Sequence, residues 1–189
     1  LTCTLSILMR TASAEPFNFF IFTMDLNGID AKYTPLTDKQ IKAYEAVIKS
    51  YNPENRVSVI RIDRYYKKYF AACPNEGAYC SPYTLIRLFA DLIPEIPDKL
   101  LYLDADIFFN RDIHLLYDTD VTGYEYAAAR DHYGKYLLYP NYINAGVLLF
   151  NMAEARKTDL FKKARWWIRK KKLVFADQSA LIRSTTKKR

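Results

Sequence analysis

Apolar residues recur along this chain in two rhythms, one helical and one extended, that alternate from one end to the other. Leu1, Leu5 and Leu8 follow helical spacing and predict a first amphipathic helix. The run FNFFIFTMD, Phe17 to Asp25, predicts a buried strand closed by the turn residues Asn27 and Gly28. Thr37 and Gln40 have the spacing of a capping box and predict the start of the helix DKQIKAYEAVIKSY. RVSVIRID alternates as a strand does. Ser81 and Pro82 suit the cap and first turn of a helix YTLIRLFADLI, because proline lacks only a donor that the first turn leaves free. Pro94 and Pro97 force an exit before the strand KLLYLD. YEYAAARD and INAGVLLFN read as further strands, the second so continuously apolar that it belongs at a sheet centre. MAEARKTDLFKKARWWIRKKK predicts one long helix.

The alternation predicts an α/β layer structure, a mostly parallel sheet flanked by helices. No internal repeat or low-complexity linker interrupts it, and 189 residues suffice for one core, so residues 1–189 are expected to form a single domain. Half the residues are apolar and 15% aromatic, the composition of a packed globule. The net charge of +7 is local: from Arg156 onward thirteen Lys/Arg face only Asp159 and Asp177, and the preceding part is slightly acidic. Such a block is either a solvated helix face or a contact for an anionic membrane or acceptor.

Cys3, Cys73 and Cys80 are odd in number without a CxxC pair, which points to reduced thiols and a cytoplasmic setting, and two histidines are too few for a zinc cluster. No apolar run reaches the ~18 residues of a membrane span. Ala12-Ser13-Ala14 imitates a signal-peptide cleavage site, but Arg10 interrupts the apolar stretch and neither Met nor a basic leader opens it. The expectation is the back half of a helix, with both ends of the chain cut.

The strand KLLYL is followed directly by Asp104 and Asp106. Carboxylates at the edge of a core are costly unless a cation is expected there. In an extended segment an Asp-x-Asp spacing sends both side chains to one side, making a hard oxygen site suited to Mn²⁺ or Mg²⁺ shared with phosphate oxygens. In open α/β sheets ligands bind beyond the carboxyl ends of strands, where this pair lies. Haloacid-dehalogenase phosphatases also carry such a pair, but on the first strand and with a small Thr or Val where this chain has Phe108.

In order, YTLIRLFADLIPEIPDKLLYLDADIFFNRDIHLLYDTD, AAARD, NAGVLLFNM and DQSAL resemble glycosyltransferase family 8 through nearly the whole chain. That resemblance implies a GT-A fold, a UDP-sugar donor, a divalent metal of the Mn²⁺ type and retention of configuration at the anomeric carbon. It implies that Asp104 and Asp106 hold the metal and diphosphate, with Ala105 between them in the nucleotide site. Arg87 matches the arginine that steadies the diphosphate and donor sugar. Asp131, Asn144, Ala145 and Gly146 match the donor-sugar pocket, Asp177 a carboxylate on sugar hydroxyls, and Gln178 the residue beneath the reacting carbon. The acceptor it implies is a saccharide or glycolipid in surface-polysaccharide or lipopolysaccharide assembly at the inner face of a bacterial membrane.

A metal ion plus Arg87 would stabilise charge on the departing UDP. Gln178 is a poor nucleophile, which favours same-face substitution over a covalent intermediate, with Asp177 as the competing candidate. The family's first strand with its Asp-Asp-Asn-Tyr-like base clamp, and its C-terminal histidine and lysine, have no counterpart here, so the 189 residues alone are expected to bind UDP-sugar poorly. The rival readings are a degenerate, non-catalytic binding protein and a nucleic-acid binder using the basic helix. His114 and His132 read as surface or satisfied core residues, and Trp166-Trp167 as core packing, the alternative being one face to the core and one to a membrane or sugar.

Overall fold

The computed structural model describes residues 1–76 and 81–186, so Cys80 and the end of the basic tail lie outside the described residues. Its contacts divide into two units, Leu1–Arg64 with Ala105–Asp118, and Tyr65–Asp104 with Thr119–Arg189.

The first unit is built on a parallel pair, β1 (Asn18–Thr23) beside β2 (Arg56–Arg61), with Phe20 opposite Ser58. Between them in sequence runs α2 (Asp38–Tyr51), whose capping box forms as the sequence predicts, Gln40 N donating to Thr37 Oγ1 while the Gln40 side chain accepts from Thr37 N. The buried Asn55 ties the parts together, accepting from Phe17 N at 2.8 Å and donating to Ile48 O at 3.1 Å. The first helix, α1 (Thr2–Arg10), buries Cys3, Thr4, Ser6, Ile7 and Leu8. The Leu1-Leu5-Leu8 stripe is therefore corrected: Leu1 is exposed, and the inward face is one residue round the helix, where Thr4 bonds the Tyr44 hydroxyl. In α3 (Asp63–Phe70) the first two residues belong to this unit, and a two-pronged bond from Arg61 draws the Asp63 carboxyl down to about 2.

The second unit holds a three-stranded sheet in the order β3 (Lys99–Leu103), β5 (Ile143–Asn151), β4 (Tyr126–Arg130). β5 lies at the centre, as its continuous apolar run predicts, and Leu148 and Phe150 are fully buried. It runs antiparallel to both neighbours. The expected α/β class holds, but a mostly parallel sheet describes only β1 and β2; β3 and β4 share a direction on either side of a reversed strand. Periodicity cannot report that reversal, because a strand buried on both faces reads the same in either direction.

Two helices differ from expectation. Pro82–Leu92 winds as a 3₁₀ segment capped by the Ser81 side chain. Its three-residue turn stacks Pro82, Leu85 and Leu88 in one buried row and the half-buried Thr84 with the buried Arg87 and Ala90 in the next. The long C-terminal helix is broken into α6 (Met152–Lys157) and α7 (Leu160–Lys170), with Asp159 left-handed at φ 57°. The buried Glu125 carboxylate takes the Thr158 hydroxyl at the break, a contact that an unbroken helix would not present. Two short helices, α4 (His114–Tyr117) and α5 (Gly134–Leu137), were not expected. α8 (Ala176–Ser184) packs against α7. Trp166 is 51% exposed, which corrects the core-packing expectation for it.

Candidate functional site

The carboxyl end of β3, the start of β5 and the first turn of α8 bring most of the expected residues together in the second unit. β3 ends at Leu103, and Asp104 follows with its N–H donating to Gly146 O at 2.8 Å. Arg87 lies beside it, 3% exposed. Its Nη2 donates to Asp104 Oδ1 at 2.9 Å, its Nη1 to Ala145 O, and its Nε to Thr84 O at 3.0 Å, with Asp177 Oδ2 at 3.1 Å. All three guanidinium nitrogens are thus engaged by the protein. The plane also lies 4.4 Å from the Tyr102 ring centroid, and the Tyr102 hydroxyl donates to Asp104 Oδ1 at 2.7 Å.

Asp104 Oδ1 is held twice, whereas no hydrogen bond from the described residues ends on Oδ2. The side chain is 36% exposed, so this oxygen is free to meet a cation. Gly146 makes room for it: a methyl group there would stand 3.1 Å from Asp104 Oδ2 and from Asn144 Oδ1. Ala105 and Asp106 are exposed in a turn that belongs to the first unit. The period-two argument for the Asp-x-Asp pair is corrected, since the strand has ended before the pair begins.

Asp177 follows Ala176 in the first turn of α8 but does not cap it. Its side chain is 9% exposed and turned to Arg87, and burial pushes its carboxyl up to about 6 against the pull of that cation, with Asp104 adding to the rise. Among the described residues, then, Asp177 is the buried counter-charge of Arg87, and not an open carboxylate.

A second cluster gathers on Asp131, which follows β4. Its Oδ1 accepts from Gly134 N at 2.6 Å and Tyr133 N at 3.0 Å; its Oδ2 accepts from Asn144 Nδ2 at 3.2 Å and Gln178 Nε2 at 3.4 Å. Burial would raise the Asp131 carboxyl, but these donors outweigh it and hold it below the usual range. Gln178 Oε1 accepts from Ala145 N at 3.2 Å, so the amide is fixed at both ends, and Asn144 Oδ1 accepts from Gly146 N.

Two tyrosines were missed in the sequence. Tyr102, on β3, stands two before Asp104 and its hydroxyl reaches that carboxylate, a signal present in the motif itself. Tyr142 is fully buried, bonds Ser179 of α8 at 2.6 Å and receives Asp131 N on its carbonyl, and Gly134 is pressed against its ring where no side chain would fit. His132 is exposed beside Tyr133 and Tyr136, and His114 faces Asp118 at 3.4 Å. Cys3 and Cys73 are free, their thiols pushed up by burial. No group of three or more His, Cys, Asp or Glu that could hold a metal occurs among the described residues.

The sequence model of glycosyl transferase family 8 matches residues 6–184. The chain belongs to that family. The glycosyltransferase GlyA of Streptococcus pneumoniae serotype 4 is 40% identical over 74 residues, 39% of this chain and 10% of GlyA. A Haemophilus influenzae protein is 30% identical over 111 residues, 53% of this chain and 34% of its own length. The matched stretches thus span a tenth and a third of these relatives. Among solved structures, the galactosyltransferase LgtC in complex with donor and acceptor sugar analogues has a TM-score of 0.68 at 20% identity, over 89% of this chain and 70% of LgtC. GlyE of Streptococcus pneumoniae TIGR4 has a TM-score of 0.64 at 20% identity, over 97% and 39%. These likenesses establish a GT-A fold for this family 8 chain. None of its described helices is long and apolar enough to cross a membrane.

Proposed function

We propose that this chain carries the donor site of a metal-dependent, retaining glycosyltransferase that moves a hexose from a UDP-sugar to a saccharide or glycolipid acceptor, with residues 1–189 as one catalytic domain. The observation that carries the reading is the end of β3: a buried arginine holds one oxygen of Asp104 and leaves the other open. One cation faces two carboxylates there, so the cluster has a negative excess that a divalent cation relieves. Asp104 and Asp106 are the proposed ligands, hard oxygen donors of the kind Mn²⁺ and Mg²⁺ take, alongside diphosphate oxygens. When bound, the metal supplies neutralisation of charge on the departing diphosphate.

The chain's own residues do the rest. Arg87 fixes Asp104 and adds positive potential beneath the diphosphate, which favours the transition state over the ground state. Asp131 and Asn144 offer acceptor and donor groups to the donor-sugar hydroxyls, and Gly146 keeps the floor low enough for them. Gln178 presents a fixed amide near the anomeric carbon; an amide oxygen steadies positive charge there without forming a stable covalent bond, which supports same-face substitution. Asp177 holds Arg87 and acts through it. The LgtC complex, captured with donor and acceptor sugar analogues, supports a donor and an acceptor for this chain too. Work at the inner face of a membrane, with the basic C-terminal helix in peripheral contact, suits a glycolipid or surface-polysaccharide acceptor.

The experiment is UDP release from a panel of UDP-hexoses by the gene product that carries this chain, with Mn²⁺ and with chelator. Release that needs the metal, and falls on the order of a hundredfold or more in Asp104→Asn and Gln178→Ala, is expected. Release indifferent to chelator and to Asp104→Asn would overturn the metal-dependent reading, and no release from any UDP-hexose would favour a non-catalytic family member.

A further inference from the structure

The segment from Lys162 to Lys172 carries seven cations, and only Arg165 is buried. Arg165 is neutralised within the unit by Asp91. At 3.6 residues per turn Lys162, Lys163, Trp166, Arg169 and Lys170 fall within an arc of about 120°, with Trp166 in the middle. The opposite face, Leu160, Phe161, Ala164, Arg165 and Ile168, is buried. Lys171 and Lys172 extend the cationic face beyond α7. The buried Asn75 holds that extension in place: its Nδ2 donates to Ile168 O at 2.6 Å and Lys171 O at 2.7 Å, while Leu173 N donates to its Oδ1. On this side one acid, Asp159, answers one lysine, Lys162, at 3.4 Å.

Trp166 is half exposed in the centre of this arc, its ring set edge-on against Trp167, which is covered in turn by the Arg183 guanidinium at 5.4 Å. A large indole held out among fixed cations suits neither bulk water nor a protein core. The interface of a bilayer suits it, since indole partitions to the headgroup level while Lys and Arg meet anionic headgroups. The cationic row is about 12 Å long at 1.5 Å per residue, wider than a single phosphate. We propose that the exposed face of α7, with Lys171 and Lys172, is a docking surface for an anionic lipid bilayer, with Trp166 entering the headgroup layer. This deepens the membrane location proposed above and is independent of the donor chemistry, because vesicle binding reports on α7 whether or not UDP is released.

The test is co-sedimentation of the protein with vesicles of phosphatidylcholine alone and of phosphatidylcholine with about one third phosphatidylglycerol. Binding to the anionic vesicles alone is expected, lost when salt rises from about 0.1 M to about 0.5 M as the Debye length shrinks. Each Lys or Arg near such a surface multiplies partitioning roughly fivefold, so Lys170→Glu with Lys171→Glu and Lys172→Glu should weaken it by a hundredfold or more. Trp166→Ala should weaken it severalfold with the same salt slope. In a Trp167→Phe background, brominated lipid should quench Trp166, and circular dichroism checks that each variant is folded. Equal binding to neutral vesicles, or a charge-reversed variant that binds as well as the parent, would overturn the proposal. So would salt-sensitive binding to random DNA by a protein that brominated lipid does not quench, which would mark a nucleic-acid face.

Discussion

Two arginines in the second unit, Arg87 and Arg165, look alike in burial and differ in what they leave open. Each donates to carboxylate and to a main-chain carbonyl, Ala145 O for Arg87 and Leu88 O for Arg165, and each lies over a tyrosine ring, Tyr102 and Tyr69. Arg165 meets one acid two-pronged, Nη1 and Nη2 to the two oxygens of Asp91 at 2.5 and 2.8 Å, so charge balances and both oxygens are used. Arg87 is shared between Asp104 and Asp177, and among the described residues no hydrogen bond claims the other Asp104 oxygen. A charge-balanced pair whose two carboxylate oxygens are both used, though Arg165 Nε finds no partner among the described residues, fastens α7 to the 3₁₀ segment; an unbalanced, half-open cluster waits for a positive partner. Burial of charge alone does not separate structural from functional groups, and the count of opposing charges does.

The largest way to break the comparison is to remove each cation. Arg87→Met leaves two carboxylates facing each other without a counter-ion and should cost about 3–5 kcal/mol of stability, together with a hundredfold or greater loss of UDP release. Arg165→Met should also destabilise, less so because Asp91 can reach water, while turnover per folded molecule stays within a fewfold of the parent. Arg87→Lys should recover little, since an ammonium cannot reach the four partners that the planar guanidinium meets. Urea unfolding read beside turnover checks all three, and a stable, active Arg87→Met protein would end the assignment.

Much of this pattern could be read in advance, and the unread part has a common cause. The capping box at Thr37, the buried strand Ile143–Asn151 and the run of motif residues are local or periodic signals, so the sequence displays them. The gathering of Asp131, Asn144 and Gln178 followed only from resemblance, because 47 positions separate the outer two. The pairing of Arg87 with Asp177, the reversal of β5 and the break at Asp159 had no local signal at all. Each depends on a partner brought from another element: α8 for Arg87, β3 and β4 for β5, and the buried carboxylate of Glu125 for Thr158. Trp166 was misread for a related reason, since the α7 pattern places one tryptophan outward and one against the core, and the dipeptide alone does not say which.

Next in size is a dependence on pH in the Arg87 cluster. Asp177 titrates near 6 when folded against an ordinary carboxyl near 4, so the native state binds the proton more tightly. Its contribution is therefore favourable below about pH 4 and is lost as pH rises through about 6, a decline on the order of 3 kcal/mol over that window. Asp177→Asn should flatten the urea midpoint between those values. An unchanged slope in the Asn variant would show that Asp177 is ionised throughout.

A smaller change probes the open oxygen. Gly146→Ala puts a methyl group 3.1 Å from Asp104 Oδ2, closer than a settled contact, and the carboxylate must shift by a few tenths of an ångström. Divalent-ion affinity should fall tenfold or more, the scale for disturbing groups around metal ligands, while stability changes by about 1 kcal/mol. Gly28→Ala, with nothing within 4 Å, is the control and should do neither.

The smallest effect compares the two tyrosines beneath the arginines. Tyr102→Phe keeps the ring under Arg87 and deletes only the hydroxyl that donates to Asp104 Oδ1 at 2.7 Å. Arg87 still holds that oxygen, so the loss should be about 1 kcal/mol and appear as a severalfold rise in the Mn²⁺ concentration for half-maximal turnover, with the rate at saturating metal nearly unchanged. Tyr69→Phe removes a hydroxyl from beneath a pair whose carboxylate is already satisfied and should alter neither quantity. A Tyr102→Phe enzyme that responds to metal as the parent does would mean that Arg87 alone orients Asp104, and the open oxygen would owe its direction to the guanidinium and Gly146 without the ring's hydroxyl.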